Sequence, residues 1–155
     1  MTNWRPVSIL CCDLKILIRA LSLRLRTVLL DILDIDQSCC VPGRNISDNV
    51  RFVFDATCYA NQENIPLAIV SLDEERAFHR IHHDYLFKTL ESLGFGEYFI
   101  SCIKTLDTNV HSLLKINNSL TSPFQFRRGI RQVFSLSGQL YALFLEPPLH
   151  KLRSR

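Results

Sequence analysis

The sequence lacks any C-x-x-C pair, and no histidine stands at zinc-finger spacing behind its six cysteines, Cys11, Cys12, Cys39, Cys40, Cys58 and Cys102. Neither a metal site nor a disulfide framework is therefore expected. The expectation is a set of reduced, mostly buried thiols in a cytoplasmic or nuclear protein. There is no Walker-type glycine-lysine loop, no G-x-S-x-G elbow and no H-E-x-x-H pair, so the phosphate-loop, serine-hydrolase and zincin signatures are all missing. Long apolar runs are missing too. The stretch from Val7 to Cys12 is cut by Asp13, and the leucine-rich segment after it is interrupted by Lys15, Arg19, Arg24 and Arg26. Neither a signal peptide nor a membrane span is expected, so the protein is read as soluble, not secreted and without a membrane partner. No repeat, linker or low-complexity tract divides the chain.

What is present is an ordinary globular composition. In 155 residues, 47% are hydrophobic and 21% charged, enough for one compact domain or a piece cut from a larger one. The formal net charge of +3 is compatible with a nucleic-acid partner but equally with a plain solvated surface.

Periodicity supplies the elements. Leu14, Leu17, Ile18, Leu21, Leu25 and Val28 recur at helical spacing, with Lys15, Arg19, Ser22 and Arg26 on the other side, and Asp13 is placed to cap that helix. After the Val41-Pro42-Gly43-Arg44 turn, Ser47 is placed to cap a second helix whose buried face holds Val50, Val53, Phe54, Thr57 and Cys58. Leu67 to Leu72 reads as a strand buried on both sides. A helix from about Asp84 to Leu93, closed by Gly94, precedes a shorter one with Phe99, Ile100 and Ile103. Val110 to Ile116, Asn117-Asn118 and Leu120 to Phe126 read as a hairpin. Leu140 to Leu152 is helical in pattern, with Pro147 and Pro148 expected to bend or end it. Helices packed beside a small sheet make the expected class α+β. The core is expected to include Leu17, Leu21, Leu25, Val53, Ile69, Leu86 and Leu90.

Three features could carry chemistry. Asp73 directly follows the apolar run, where a carboxylate at a strand end can be held rigidly facing a cleft, as phosphoryl chemistry with metal ions requires. On spacing alone, a turn cap is the commoner role for such an acid. His79, His82 and His83 lie close in sequence but have no carboxylate or cysteine pattern to complete a metal site, and read as a surface cluster. Arg127-Arg128-Gly129-Ile130-Arg131-Gln132 could contact phosphates or a nucleotide, with a solvated basic loop as the plainer alternative, and Arg44 beside Gly43 is a weaker phosphate candidate.

The order of the pieces is more specific than any one of them. Asn3-Trp4-Arg5-Pro6-Val7-Ser8, the Leu14–Arg26 helix, Asp36-Gln37, Val41-Pro42-Gly43-Arg44 and Asp48-Asn49 resemble, in sequence, the fingers of reverse transcriptases from non-LTR (LINE-type) retrotransposons. Ser71-Leu72-Asp73 with Ala77-Phe78 resembles that family's motif A, and His83 to Lys88 with Leu93 to Gly96 resembles its continuation. Arg127 to Gln132 with Leu136-Ser137 resembles motif B. The likeness covers nearly the whole chain. It implies fingers (about 1–65) and an incomplete palm (about 66–155) of a polymerase that copies RNA into DNA.

By the same resemblance, Asp73 would ligate the catalytic magnesium ions and Phe78 would gate against a ribose 2′-hydroxyl. Gln132 would lie along the nucleotide and template floor, and Arg44, Arg128 and Arg131 would meet phosphates. Departures accompany the likeness: Cys39-Cys40 replace a glycine and an aromatic, His79 replaces an aspartate, and Val133 replaces a glycine of motif B. The β-branched Val133 adds bulk where the family backbone runs close to its ligands. The Tyr/Phe-Ala-Asp-Asp hairpin of motif C does not occur in these residues. Asp73 with Glu74 and Glu75 is too small a set to hold a metal pair. The expectation is a catalytically inactive fragment with no stably bound magnesium. It is left with weak RNA or DNA binding, a protein partner covering the incomplete palm, or the status of a transposon relic.

Overall fold

The computed structural model describes residues 9–107, 110–125, 128–130 and 135–154. Among them the chain is mostly helical: α1 (Cys12–Arg26), α2 (Leu29–Ile32), α3 (Ile46–Gln62), α4 (Ala77–Arg80), α5 (His83–Ser92), α6 (Glu97–Asp107) and α7 (Ser137–Arg153). The strands are short: β1 (His111–Ser112), β2 (Lys115–Ile116), β3 (Ser119–Leu120) and β4 (Phe124–Gln125).

The core forms where three amphipathic faces meet. On α1 the buried stripe is Ile18, Leu21, Ser22 and Leu25, continued by Leu29 of α2; these spacings follow one face of a 3.6-residue turn. Leu17, expected inside, falls at the edge of that stripe and is 51% exposed. On α5 the inward residues are Leu86 and Leu90, both fully buried, and α6 adds Ile100 and Ile103. The third face is α7, with Leu140, Ala142 and Leu143. These residues belong to one cluster that also holds Ile81 and Ile130, so the turns carrying the candidate site are fastened to the core.

Local chemistry explains several boundaries. α3 starts with a capping box in which Asn45, not Ser47, is the cap: its side chain accepts from the Ser47 N–H, and the Asp48 carboxylate accepts from the Asn45 N–H. Asp13 lies inside the first turn of α1, where it meets the positive end of the helix dipole, and does not cap it. The hairpin forms around Asn117 and Asn118, with φ of 45° and 68°, the left-handed pair that a two-residue turn of this hand requires. Its two ladders, β2 with β3 and β1 with β4, are antiparallel. Thr121 to Pro123 stand opposite only Leu113 and Leu114, which makes a one-residue bulge.

Further expectations are corrected. The segment 67–72 forms no strand, and Ile69 is 61% exposed. A strand exists only where neighbouring backbone supplies hydrogen bonds, and the described strands pair with one another instead. α3 buries only Ala60, while Val50, Val53 and Phe54 are exposed, because an amphipathic stripe is covered only where another element meets it. Pro147 and Pro148, expected to bend or end α7, do not end it. Each removes a donor to the preceding turn, yet the last turn is held from outside. Arg153 bonds back to Glu146 at 2.7 Å and pairs with Asp36 through two nitrogens, Nε at 2.9 Å.

Candidate functional site

The two stretches singled out from sequence, around Phe78 and around Gly129, come together. The Ile130 N–H donates to the Phe78 carbonyl and the Gly129 N–H to the Ile81 carbonyl, each at 2.8 Å. The His83 Nε2 lies 2.9 Å from the Gly129 carbonyl oxygen, which makes it the donor of that contact. Gly129 has φ +90°, and a Cβ there would stand 3.0 Å from both Cα and O of His79 and 3.1 Å from the Phe78 carbonyl oxygen. Only glycine permits so close a backbone crossing. The histidines are thus not a plain surface cluster: His79 and His83 are half-buried in this junction and only His82 is exposed.

α7 closes one side of the junction. Tyr141 packs against Phe78 with ring centroids 5.0 Å apart, and its hydroxyl donates to Glu74 Oε2 at 2.7 Å. Burial first, then the hydrogen bond to Glu74 and the charges of Glu74, Cys39 and Asp73, hold the Tyr141 phenol well above its ordinary range. It stays a neutral donor, and Asp73 shares its neighbourhood. Asp73 itself is exposed, on an irregular segment and not at a strand end. Glu75 is paired with Arg80 at 2.8 Å.

Magnesium would need several carboxylates around one point. Glu74 is held by Tyr141 and Glu75 by Arg80, and among the described residues no group of three or more His, Cys, Asp and Glu side chains gathers to hold a metal. The donor set present does not fit a magnesium pair.

The remaining candidates are placed as follows. Arg128 is exposed beside Gly129. Gln132, Arg131, Arg127 and Val133 lie outside the described residues. Arg44 is turned inward, its guanidinium donating to the carbonyls of Gln37 at 2.8 Å, Leu33 at 3.0 Å and Asp34. That role fastens the turn after α2 to the start of α3. Arg44→Ala is expected to cost about 1–3 kcal/mol in a denaturant titration; an unchanged midpoint would show that these bonds add nothing. Tyr141 was missed by sequence reasoning, since an aromatic in a helical stripe reads as core. The pairing of Glu74 with Tyr141 has no local signature.

Comparisons with known proteins identify the family. Residues 1–155 match the model of the reverse transcriptase (RNA-dependent DNA polymerase) family, and the chain belongs to that family. It is 49% identical over 153 residues to a transposon TX1 uncharacterized 149 kDa protein of Xenopus laevis. That match takes in 99% of this chain and 12% of the relative, so the chain spans about an eighth of the relative's length.

Proposed function

We propose that the chain is the fingers and part of the palm of a LINE-type, non-LTR reverse transcriptase, with about residues 1–65 on the fingers side and about 66–155 on the palm side. The single observation supporting this best is the junction of Phe78 with Gly129-Ile130 by paired backbone hydrogen bonds. It joins the two stretches that resemble motifs A and B into one surface, with Asp73 and Arg128 exposed beside it. In this reading Asp73 is a vestigial metal ligand, Phe78 and Gln132 face the nucleotide, and Arg128 and Arg131 meet backbone phosphates. Alone, the chain does not polymerise and keeps a weak affinity for RNA or single-stranded DNA in the cytoplasm or nucleus. The exposed Leu67, Ile69, Val70 and Leu72 are suited to being covered by a protein partner. No helix among the described residues is long and apolar enough to cross a membrane.

Titrating a labelled single-stranded RNA with purified chain at several salt concentrations tests the binding. The expected result is weak binding with little sequence preference that falls as salt rises, through release of counterions. Replacing Arg127, Arg128 and Arg131 by alanine lowers both affinity and the log–log salt slope, by roughly 0.7 for each phosphate that is no longer neutralised. A folded sample that binds nothing at low salt removes the nucleic-acid reading for the isolated chain.

A further inference from the structure

The sequence holds two adjacent cysteine pairs, and the fold treats them differently. Cys11 is the extended N-cap residue of α1 and Cys12 the first residue of the helix, and both are exposed. Cys39 and Cys40 lie in the turn before Val41, and their Sγ atoms are 3.6 Å apart. Cys40 has φ 60°, a strained value for a residue with a side chain. Its Sγ sits where a Cβ on Gly138 would be, so the thiol is seated directly on the first turn of α7. Beside it opens a cavity of about 280 Å³ lined by Arg19, Ser22, Arg26, Cys40, Ser135 and Gln139 among others. Arg19 and Arg26, two turns apart on α1, give that opening a positive rim.

We propose that Cys39 and Cys40 form a redox-sensitive dithiol that exchanges with anionic low-molecular-weight disulfides drawn to the Arg19–Arg26 cavity, closing to an intramolecular disulfide that unseats Cys40 from α7. Cys39, its proton released to solvent, attacks one sulfur of the small disulfide; a mixed disulfide forms and one thiolate leaves. Cys40 then gives up its proton and attacks the Cys39 sulfur, expelling the second thiolate. The two protein thiols lose two electrons and two protons, and the small disulfide becomes two thiols. Cys40 Sγ is packed against Gly138, which leaves Cys39 as the open nucleophile for the first attack; desolvation there, and then the hydrogen bond and charge of Cys39, push the Cys40 thiol up to about 11.

Geometry makes the ring reversible. Adjacent Cα atoms are fixed about 3.8 Å apart by the peptide between them, short of the roughly 4.4–6.8 Å of ordinary disulfides, so the ring is strained and the bond is readily reduced. Closure must bring the two Sγ atoms from 3.6 Å to about 2.05 Å, which draws Cys40 Sγ toward Cys39 and away from Gly138. Ring closure and the seat on α7 therefore exclude each other, and Tyr141, one turn further along α7, carries the change to the candidate site.

The test incubates the full chain with oxidised glutathione, or with the uncharged bis(2-hydroxyethyl) disulfide, and maps the cysteines by proteolysis and mass spectrometry. The peptide holding Cys39 and Cys40 is expected to lose two hydrogens before the Cys11–Cys12 peptide changes, and a reductant reverses it. Hydrogen exchange rises at the start of α7 on oxidation. Cys40→Ser traps a glutathione adduct on Cys39, and Cys39→Ser, which keeps the seat on α7, forms neither ring nor early adduct. Arg19→Gln with Arg26→Gln slows reaction with oxidised glutathione about tenfold and leaves the uncharged disulfide unaffected. Oxidation at Cys39–Cys40 no faster than at Cys11–Cys12, or an adduct that persists without ring closure in the natural sequence, overturns the dithiol. Equal slowing with both disulfides, or none with either, overturns the role of the cavity.

Discussion

Primed RNA, magnesium and deoxynucleotides incubated with this chain are expected to yield no extended primer. Phosphoryl transfer by a polymerase depends on metal-bridged stabilisation of charge with the reacting atoms held in line. Those ions need several anionic ligands held by rigid elements. Here Asp73 is exposed on an irregular segment, Glu74 is hydrogen-bonded to Tyr141 and Glu75 is paired with Arg80. Freeing either glutamate means giving up a partner, and neither sits on a regular strand. The sequence adds the β-branched Val133 directly after the stretch that resembles motif B. The assay compares the natural chain with Asp73→Asn under magnesium and under manganese. Extension by the natural chain that disappears in Asp73→Asn would mean that the site is completed after all, by Glu74 and Glu75 or by a second chain.

Gly129→Ala is expected to be the most damaging small substitution among the described glycines. At φ +90° the alanine is strained whatever its surroundings, and its Cβ would meet backbone atoms of His79 and Phe78 at 3.0–3.1 Å. Backbone cannot swing aside as a flexible side chain can. The two backbones must part by a few tenths of an ångström, which strains the bonds from Gly129 to Ile81 and from Ile130 to Phe78. The expected loss is roughly 2–5 kcal/mol, read as a lower denaturant midpoint with little change in slope. Gly96→Ala is the control: nothing lies within 4 Å of its Cβ position, and its effect should stay within about 0.5 kcal/mol. Equal midpoints for the two variants would show that the crossing at Gly129 is loose, and the joining of the two motif-like stretches would lose its main physical support.

Elements governed by contacts close in sequence were legible without the fold. The periodicity of Leu21 and Leu25, the α5 pair Leu86 and Leu90, and the Asn117-Asn118 turn all behave as their local chemistry dictates. The ordered series of motif-like stretches was legible too, because it needs only residue identity and order, and the family match over residues 1–155 agrees with it. The segment 67–72 was misread for the opposite reason. Its composition suits a buried strand, but strand formation and burial are supplied by neighbours, and among the described residues none pairs with it. The same holds for the apolar stripe of α3 and for the cysteines, five of which are exposed. Pro147 and Pro148 were expected to bend or end α7; they do not end it, and Arg153, held by Asp36 from far earlier in the chain, ties down its last turn.

For the site, the sequence by itself determined which residue types were available: the acid at Asp73, the aromatic at Phe78, and the glycine at Gly129 that alone tolerates the crossing. Only the tertiary structure decided what they do to one another. It set Tyr141 between Phe78 and Glu74, turned Arg44 onto its own backbone, and brought Cys40 against Gly138. Each of those outcomes depends on where α7 and the turn after α2 come to rest. That position is fixed by burial of faces drawn from distant parts of the chain, and no local stretch encodes it.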